Sequence, residues 1–169
     1  MSEVSQLHAS ETPQYQKIQS SSLGAELDAQ ECEILASIMD VRRLGDGELL
    51  IAEGAAASTL FLLAEGRLSV TSRAEGKDDL VYIMSPGECA GTRAFVDRAP
   101  RKATLRAAGS ATVYTMEPET FESLLDDGHA RIVYKVMRAL FRNTHTNLMR
   151  MNQESRELSN YITKTHGRY

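Results

Sequence analysis

A mainly β fold with flanking helices is what this chain of 169 residues predicts, and three observations carry that reading. Seven short runs rich in aliphatic, β-branched and aromatic residues lie between Val41 and Met116, with turn signals about every 8 to 12 residues, the rhythm of a sandwich, jelly roll or barrel. A short stretch of helical period precedes them. After Gly128 no proline or glycine interrupts the chain as far as Thr165, which predicts one long helix.

The elements follow in order. Residues 1–22 are rich in Ser, Gln and Glu and read as a flexible segment, with room for a fragment of it to pack onto the domain. Asp28 has the character of an N-cap, with Glu31 three residues on to complete a capping box. The sequence AQECEILASIM then places Cys32, Leu35, Ile38 and Met39 on one face of a helix of about 11 residues. The β-type runs are VRRL, ELLIAEG, TLFLLAEG, GRLSVTSR, DLVYIM, ATLRAAG and ATVYTM. Gly66, between two of them, suits a hairpin that needs a positive φ. Pro118 fits the first position of a helix that turns Phe121, Leu124 and Leu125 inward and stops at Gly128. In the long helix, expected over residues 130–169, Ile132, Val133, Val136, Met137 and Leu140 form a face to pack on the β-domain. Farther on, Met137, Phe141, Thr144, Leu148, Met151, Ser155, Leu158 and Ile162 recur with alternating gaps of four and three. That is a heptad seam, and it predicts a coiled-coil homodimer.

Composition narrows the function. The apolar fraction of 42% is enough for a sizeable core, while a net charge of −4 and a pI near 5.6 argue against nucleic acid as the main partner. No apolar run reaches the length of a membrane span, and the N-terminus lacks the layout of a signal peptide. Cys32 and Cys89 have no CxxC spacing and read as buried free thiols of a cytoplasmic protein. The histidines His8, His129, His145 and His166 fall in the N-terminal segment or on helices, away from the strands a metal-dependent barrel enzyme would use. With no nucleophile elbow or paired catalytic carboxylates, an enzyme is not expected. Nor is a required metal, haem or iron–sulfur centre.

The chemistry is concentrated in GECAGTRAFVDRAPRKATLRA, residues 87–107. Gly91 permits close backbone approach, a helical turn can begin at Thr92, and Arg101 returns a forked cation to the same neighbourhood. Those parts suit a phosphate. Read without that ligand, Arg101 would cap a turn or pair with Asp97.

This stretch resembles the phosphate-binding cassette of cyclic-nucleotide-binding domains, found in the catabolite activator protein and the regulatory subunits of protein kinase A. Gly87, Gly91, Ala94, Pro100, Arg101, Ala103 and Thr104 fall on the family's pattern at its spacing. With the GELLIAEG…LFLLAEGRLSV region, the resemblance covers roughly residues 23–145 and implies a double-stranded β-helix, a jelly-roll-like β-roll over 23–143, followed by a short and a long helix. It implies a ligand set of Gly91, Thr92, Arg93, Ala94, Arg101, Lys102, Ala103 and Thr104, with Thr144 and His145 on the long helix against the purine. Thr92 stands where the family places the glutamate that binds the ribose hydroxyl, Arg93 replaces an apolar residue, and Glu88 lies too early to substitute. At Lys102 some relatives carry a threonine that favours guanine; its absence gives cyclic GMP no support and permits cAMP, which is the expected effector. Relatives of the activator type carry a winged helix-turn-helix of about 70 residues after the long helix. The residues after Thr144 leave no room for one, so direct DNA binding is not expected. The expectation is a stand-alone sensor that signals through its C-terminal helix to an effector protein. The other reading is a degenerate β-roll that binds another anion, or no ligand, and serves as a dimerisation or docking module.

Overall fold

The computed structural model describes residues 11–166. Eight strands among them form two four-stranded antiparallel sheets: β1 (Asp40–Leu44), β2 (Leu49–Ile51), β3 (Leu60–Glu65), β4 (Leu68–Ala74), β5 (Lys77–Met84), β6 (Cys89–Ala90), β7 (Thr104–Ala107) and β8 (Ala111–Met116). One sheet runs β1-β8-β3-β6 and the other β2-β7-β4-β5. Seven of the strands correspond to the sequence runs; β6, only two residues long, is too short to show a period.

The side-chain alternation of β3 and β8 creates two cores. Phe61 and Leu63, with Val113 opposite Leu63, face the second sheet and pack with Leu44, Leu68, Met84 and Leu105 inside the roll. Leu60, Leu62, Tyr114 and Met116 face the other way and meet the helices. Covered on both sides, β3 is a continuous apolar run rather than an alternating one. Gly66 has φ of +83°, as the hairpin reading requires, and a Cβ there would overlap the carbonyl oxygen of Ser110.

The helices close the outer core. Within the segment read as flexible over 1–22, a fragment does pack onto the domain: Tyr15–Gln19 form α1, and Ile18 is fully buried. A single large aliphatic in a polar stretch suffices because it joins Leu23, Leu27 and Leu35 in one cluster, and Lys17–Glu65 and Arg43–Glu11 ion pairs tie the segment to the β-roll. The remainder of that expectation, residues 1–10, lies outside the described residues.

α2 (Ala29–Ser37) carries the capping box: Asp28 Oδ1 accepts from the Glu31 N–H at 2.8 Å and Glu31 Oε2 accepts from the Asp28 N–H at 3.0 Å. Asp28→Ala is expected to lower the unfolding free energy by about 1 kcal/mol in urea denaturation. α4 (Pro118–Asp126) begins with its proline and buries Phe121 and Leu124, while Leu125 is exposed. α5 (Ala130–His166) is one continuous helix of 37 residues, about 55 Å long at its standard rise. Ile132, Val136, Ala139 and Leu140 are buried against the domain. Ion pairs Lys135–Glu31, Arg138–Glu26 and Arg142–Glu26 fix its proximal half. Along its distal half the heptad positions Leu148, Met151 and Leu158 are more than half exposed. Among the described residues, no helix is long and apolar enough to cross a membrane.

Candidate ligand-binding site

The cassette is assembled between the sheets' ends and α5. Gly91 sits at φ +87°, ending β6 and starting α3 (Thr92–Asp97), so the expected helical turn forms at the expected residue. The following loop carries Arg101 back beneath it. Backbone bonds to the 52–55 turn hold that loop: the Gly54 N–H donates to Arg101 O at 2.8 Å and the Arg101 N–H to Ala55 O at 3.0 Å.

Arg101 is 5% exposed, unusual for a guanidinium. Its Nη2 donates to the Thr59 carbonyl at 2.5 Å, and its Cζ lies 4.8 Å from the centre of the Phe61 ring. Nε and Nη1 are buried with no hydrogen-bond partner. Burial pushes its pKa below the usual arginine range, partly offset by the negative charge of Glu117. It neither caps its own turn nor pairs with Asp97. A Cβ on Gly91 would overlap Nη1, which explains why the residue above this guanidinium has no side chain. Two buried donors without acceptors, on a permanently charged fork, are chemically suited to an oxyanion.

Arg101 is also among the residues that line a cavity of about 290 Å³. Gly91, Thr92, Arg93, Ala94, Arg101, Lys102 and Ala103 all line it, so seven of the sequence-derived ligand residues come together. Thr104 does not line it; as the first residue of β7, its Oγ1 accepts from the Glu53 N–H at 2.9 Å and braces the loop from behind.

The helix residues differ from the expectation. Thr144 lines a neighbouring cavity between α3 and α5, with its hydroxyl donating to Leu140 O at 3.0 Å. His145 is exposed and its ring stacks at 6.5 Å on Phe141. Neither lines the cassette cavity, to which α5 contributes Asn147 and Arg150. The buried face at Leu140 continues at spacings of three and four through Asn143 or Thr144 to Asn147 and Arg150, whereas His145 is rotated about 100° per residue off that line. Arg150 lies over the Tyr82 ring, 4.3 Å from its centre.

Glu88 and Cys89 also line the cavity. Both Glu88 oxygens are engaged, Oε1 by the Tyr82 hydroxyl at 2.5 Å and Oε2 by the Ser85 N–H at 2.6 Å. No sequence signal pairs Tyr82 with Glu88, because the contact depends on how β5 turns into β6. Burial pushes the Cys89 thiol up to about 12, and its Sγ accepts from Ser22 Oγ at 3.7 Å. Both cysteines are free; burial, with Asp28 and Glu31 nearby, raises Cys32 to about 11. Among the described residues no cluster of His, Cys, Asp and Glu is placed to hold a metal.

The comparisons with known proteins match this geometry. The cyclic nucleotide-binding domain family model matches residues 41–127. The chain is 32% identical over 104 residues to the cAMP-dependent protein kinase regulatory subunit of Mycosarcoma maydis, 59% of this chain and 20% of that relative. It therefore spans about a fifth of that relative's length. A cyclic nucleotide-binding domain from Methylobacillus flagellatus shares the fold with a TM-score of 0.77 at 16% identity, covering 83% of this chain and 81% of that one. The regulatory domain of Toxoplasma gondii PKA, co-crystallised with cAMP, shares it with a TM-score of 0.60 at 22% identity, covering 69% and 45%. The two-sheet roll, the cassette beneath α3 and the family match over half the chain agree: this protein belongs to the cyclic nucleotide-binding domain family.

Proposed function

We propose that this chain is a regulatory module that binds a cyclic nucleotide, with cAMP as its effector among the cyclic monophosphates, and that it passes the binding event to a partner protein through α5. The observation that carries the reading is the buried Arg101 guanidinium, whose Nε and Nη1 have no hydrogen-bond partner, in a residue that lines the cassette cavity. A cyclic phosphate would accept both donors. The cAMP-related relatives support that choice of effector.

The route to α5 rests on contacts that bridge the cavity and the helix. Asn147 and Arg150 line the cavity directly. Ser22 joins the two sides a second way: its N–H donates to Gly87 O, its hydroxyl donates to Cys89, and Asn143 Nδ2 on α5 donates to its oxygen at 3.0 Å. A ligand that moved Arg150 off Tyr82, or shifted β6, would favour one position of α5 over another by its difference in affinity for the two.

The homodimer belongs to the same proposal. Phe141, Leu148, Met151 and Leu158 leave an apolar seam facing solvent, 74%, 55%, 59% and 62% exposed. Pairing two such helices would bury it. In sedimentation, the full chain is expected at the mass of a dimer and a chain truncated after Asn143 at that of a monomer. Monomers in both would remove the coiled coil.

Calorimetric titration with cAMP and cGMP tests the ligand. Saturable binding of either, lost on substitution of Arg101, is expected. Flat titrations with both would leave the docking-module reading, which the engaged state of Glu88 and the uncharged Thr92 favour over a full ribose site.

A further inference from the structure

We propose that the cassette cavity takes a phosphate ligand bearing at least two negative charges, a nucleotide of that charge class, in preference to a cyclic monophosphate. This rests on reading the cavity as a nucleotide site and concerns which ligand of that class it selects.

The charge of the lining is the first observation. Four cationic side chains, Arg93, Arg101, Lys102 and Arg150, line the cavity with a single carboxylate, Glu88, an excess of three positive charges on a chain whose net charge is −4. Among the described residues none of the four is ion-paired: the pairs that exist involve Lys17, Arg43, Arg98, Lys135, Arg138 and Arg142. Glu88, already counted in that excess, makes its hydrogen bonds to the Tyr82 hydroxyl and the Ser85 N–H rather than to any of the four cations.

The arrangement of the cations is the second. Arg101 is buried and offers two donors, enough for one phosphate. Arg93, Lys102 and Arg150 are exposed on the same lining and can meet a charge that extends outward from that phosphate. A monoanion seated on Arg101 leaves these three repelling one another across a concave surface, where the field is concentrated. A second negative charge converts that repulsion into attraction. Thr92 belongs to the same design: a carboxylate at that position would stand on the cavity wall and oppose the added charge.

Two sources share this chemistry: the terminal phosphate of a linear nucleotide and the second phosphodiester of a cyclic dinucleotide. Titration calorimetry of the full chain with cAMP, cGMP, AMP, ADP and a cyclic dinucleotide, at low and at physiological ionic strength, separates them. At least one of the last three is expected to bind ~10-fold or more tightly than cAMP, one further charge-assisted contact being sufficient. Its affinity is expected to fall more steeply with salt. Tight AMP or ADP binding identifies a terminal phosphate; tight binding of the dinucleotide alone identifies paired phosphodiesters. The double substitution R93A/R150A, at exposed positions, is expected to weaken that ligand ~10-fold or more, and by a larger factor than it weakens cAMP. The ionic-strength comparison on the unsubstituted protein stands independently of that variant. If cAMP or cGMP binds more tightly than all three multiply charged ligands, the inference fails while the cyclic-nucleotide reading stands. If none of the five binds, both fail.

Discussion

Arg101→Met is expected to lower nucleotide affinity ten- to over a hundredfold, the equivalent of roughly 1.5–3 kcal/mol for a charge-assisted contact. The same substitution is expected to raise the unfolding midpoint of the ligand-free protein. The two effects share one cause. The guanidinium is nearly fully buried, yet only Nη2 has an acceptor, the Thr59 carbonyl. The ligand-free fold therefore bears the cost of a desolvated charge that its phosphate would offset. Methionine keeps much of the length and the contact with Phe61, removes the charge, and leaves one carbonyl without its donor, a smaller cost. Calorimetric titration and thermal melts with and without nucleotide measure both arms. An affinity within twofold of the original would show that the anion does not sit on Arg101. A lowered midpoint in the ligand-free protein would show that the arginine is structural instead.

Thr92→Glu is expected to raise cAMP affinity about tenfold or more, since it returns the charged acceptor that the family directs at the ribose hydroxyl, worth roughly 1.5–3 kcal/mol. Thr92 lines the cavity beside Gly91 and is only half-buried, so the longer side chain needs no rearrangement of the core. Glu88, although on the same wall, cannot take that role while Tyr82 and Ser85 hold it. The substitution also separates two kinds of ligand: a ligand with two or more negative charges loses affinity as cAMP gains it. Unchanged cAMP affinity would mean that the ribose does not lie over position 92.

Much of the fold was legible because its signals are local. The capping box at Asp28 and Glu31 involves residues three apart, and both of its bonds form. Gly66 and Gly91 adopt the positive φ that their turns require, and Pro118 begins α4. The cassette is read from a resemblance carried by a short contiguous segment, and the structure brings seven of the ligand residues it implies to one cavity. α1 was not legible, because Ile18 is the lone large aliphatic of a polar helix of five residues and becomes buried only when Leu23 and Leu35 are brought to it.

By itself, then, the sequence determined the mainly β character and the order of the elements, which follow from backbone preference and short-range spacing, while the cassette and Arg101 as its cation are what the family resemblance implies. The tertiary structure decided the rest of the site. Whether Arg101 would find Asp97 or no carboxylate depended on the path of its loop against Thr59 and Ala55. That Glu88 is spent on Tyr82 depended on how β5 meets β6. And α5 presents Asn147 and Arg150 to the cavity, rather than Thr144 and His145, because its buried face at Ile132, Val136 and Leu140 and its pairs with Glu26 and Glu31 set both its rotation and its path. A helical period gives the relative phase of residues on one helix; only packing against the rest of the molecule gives the absolute one.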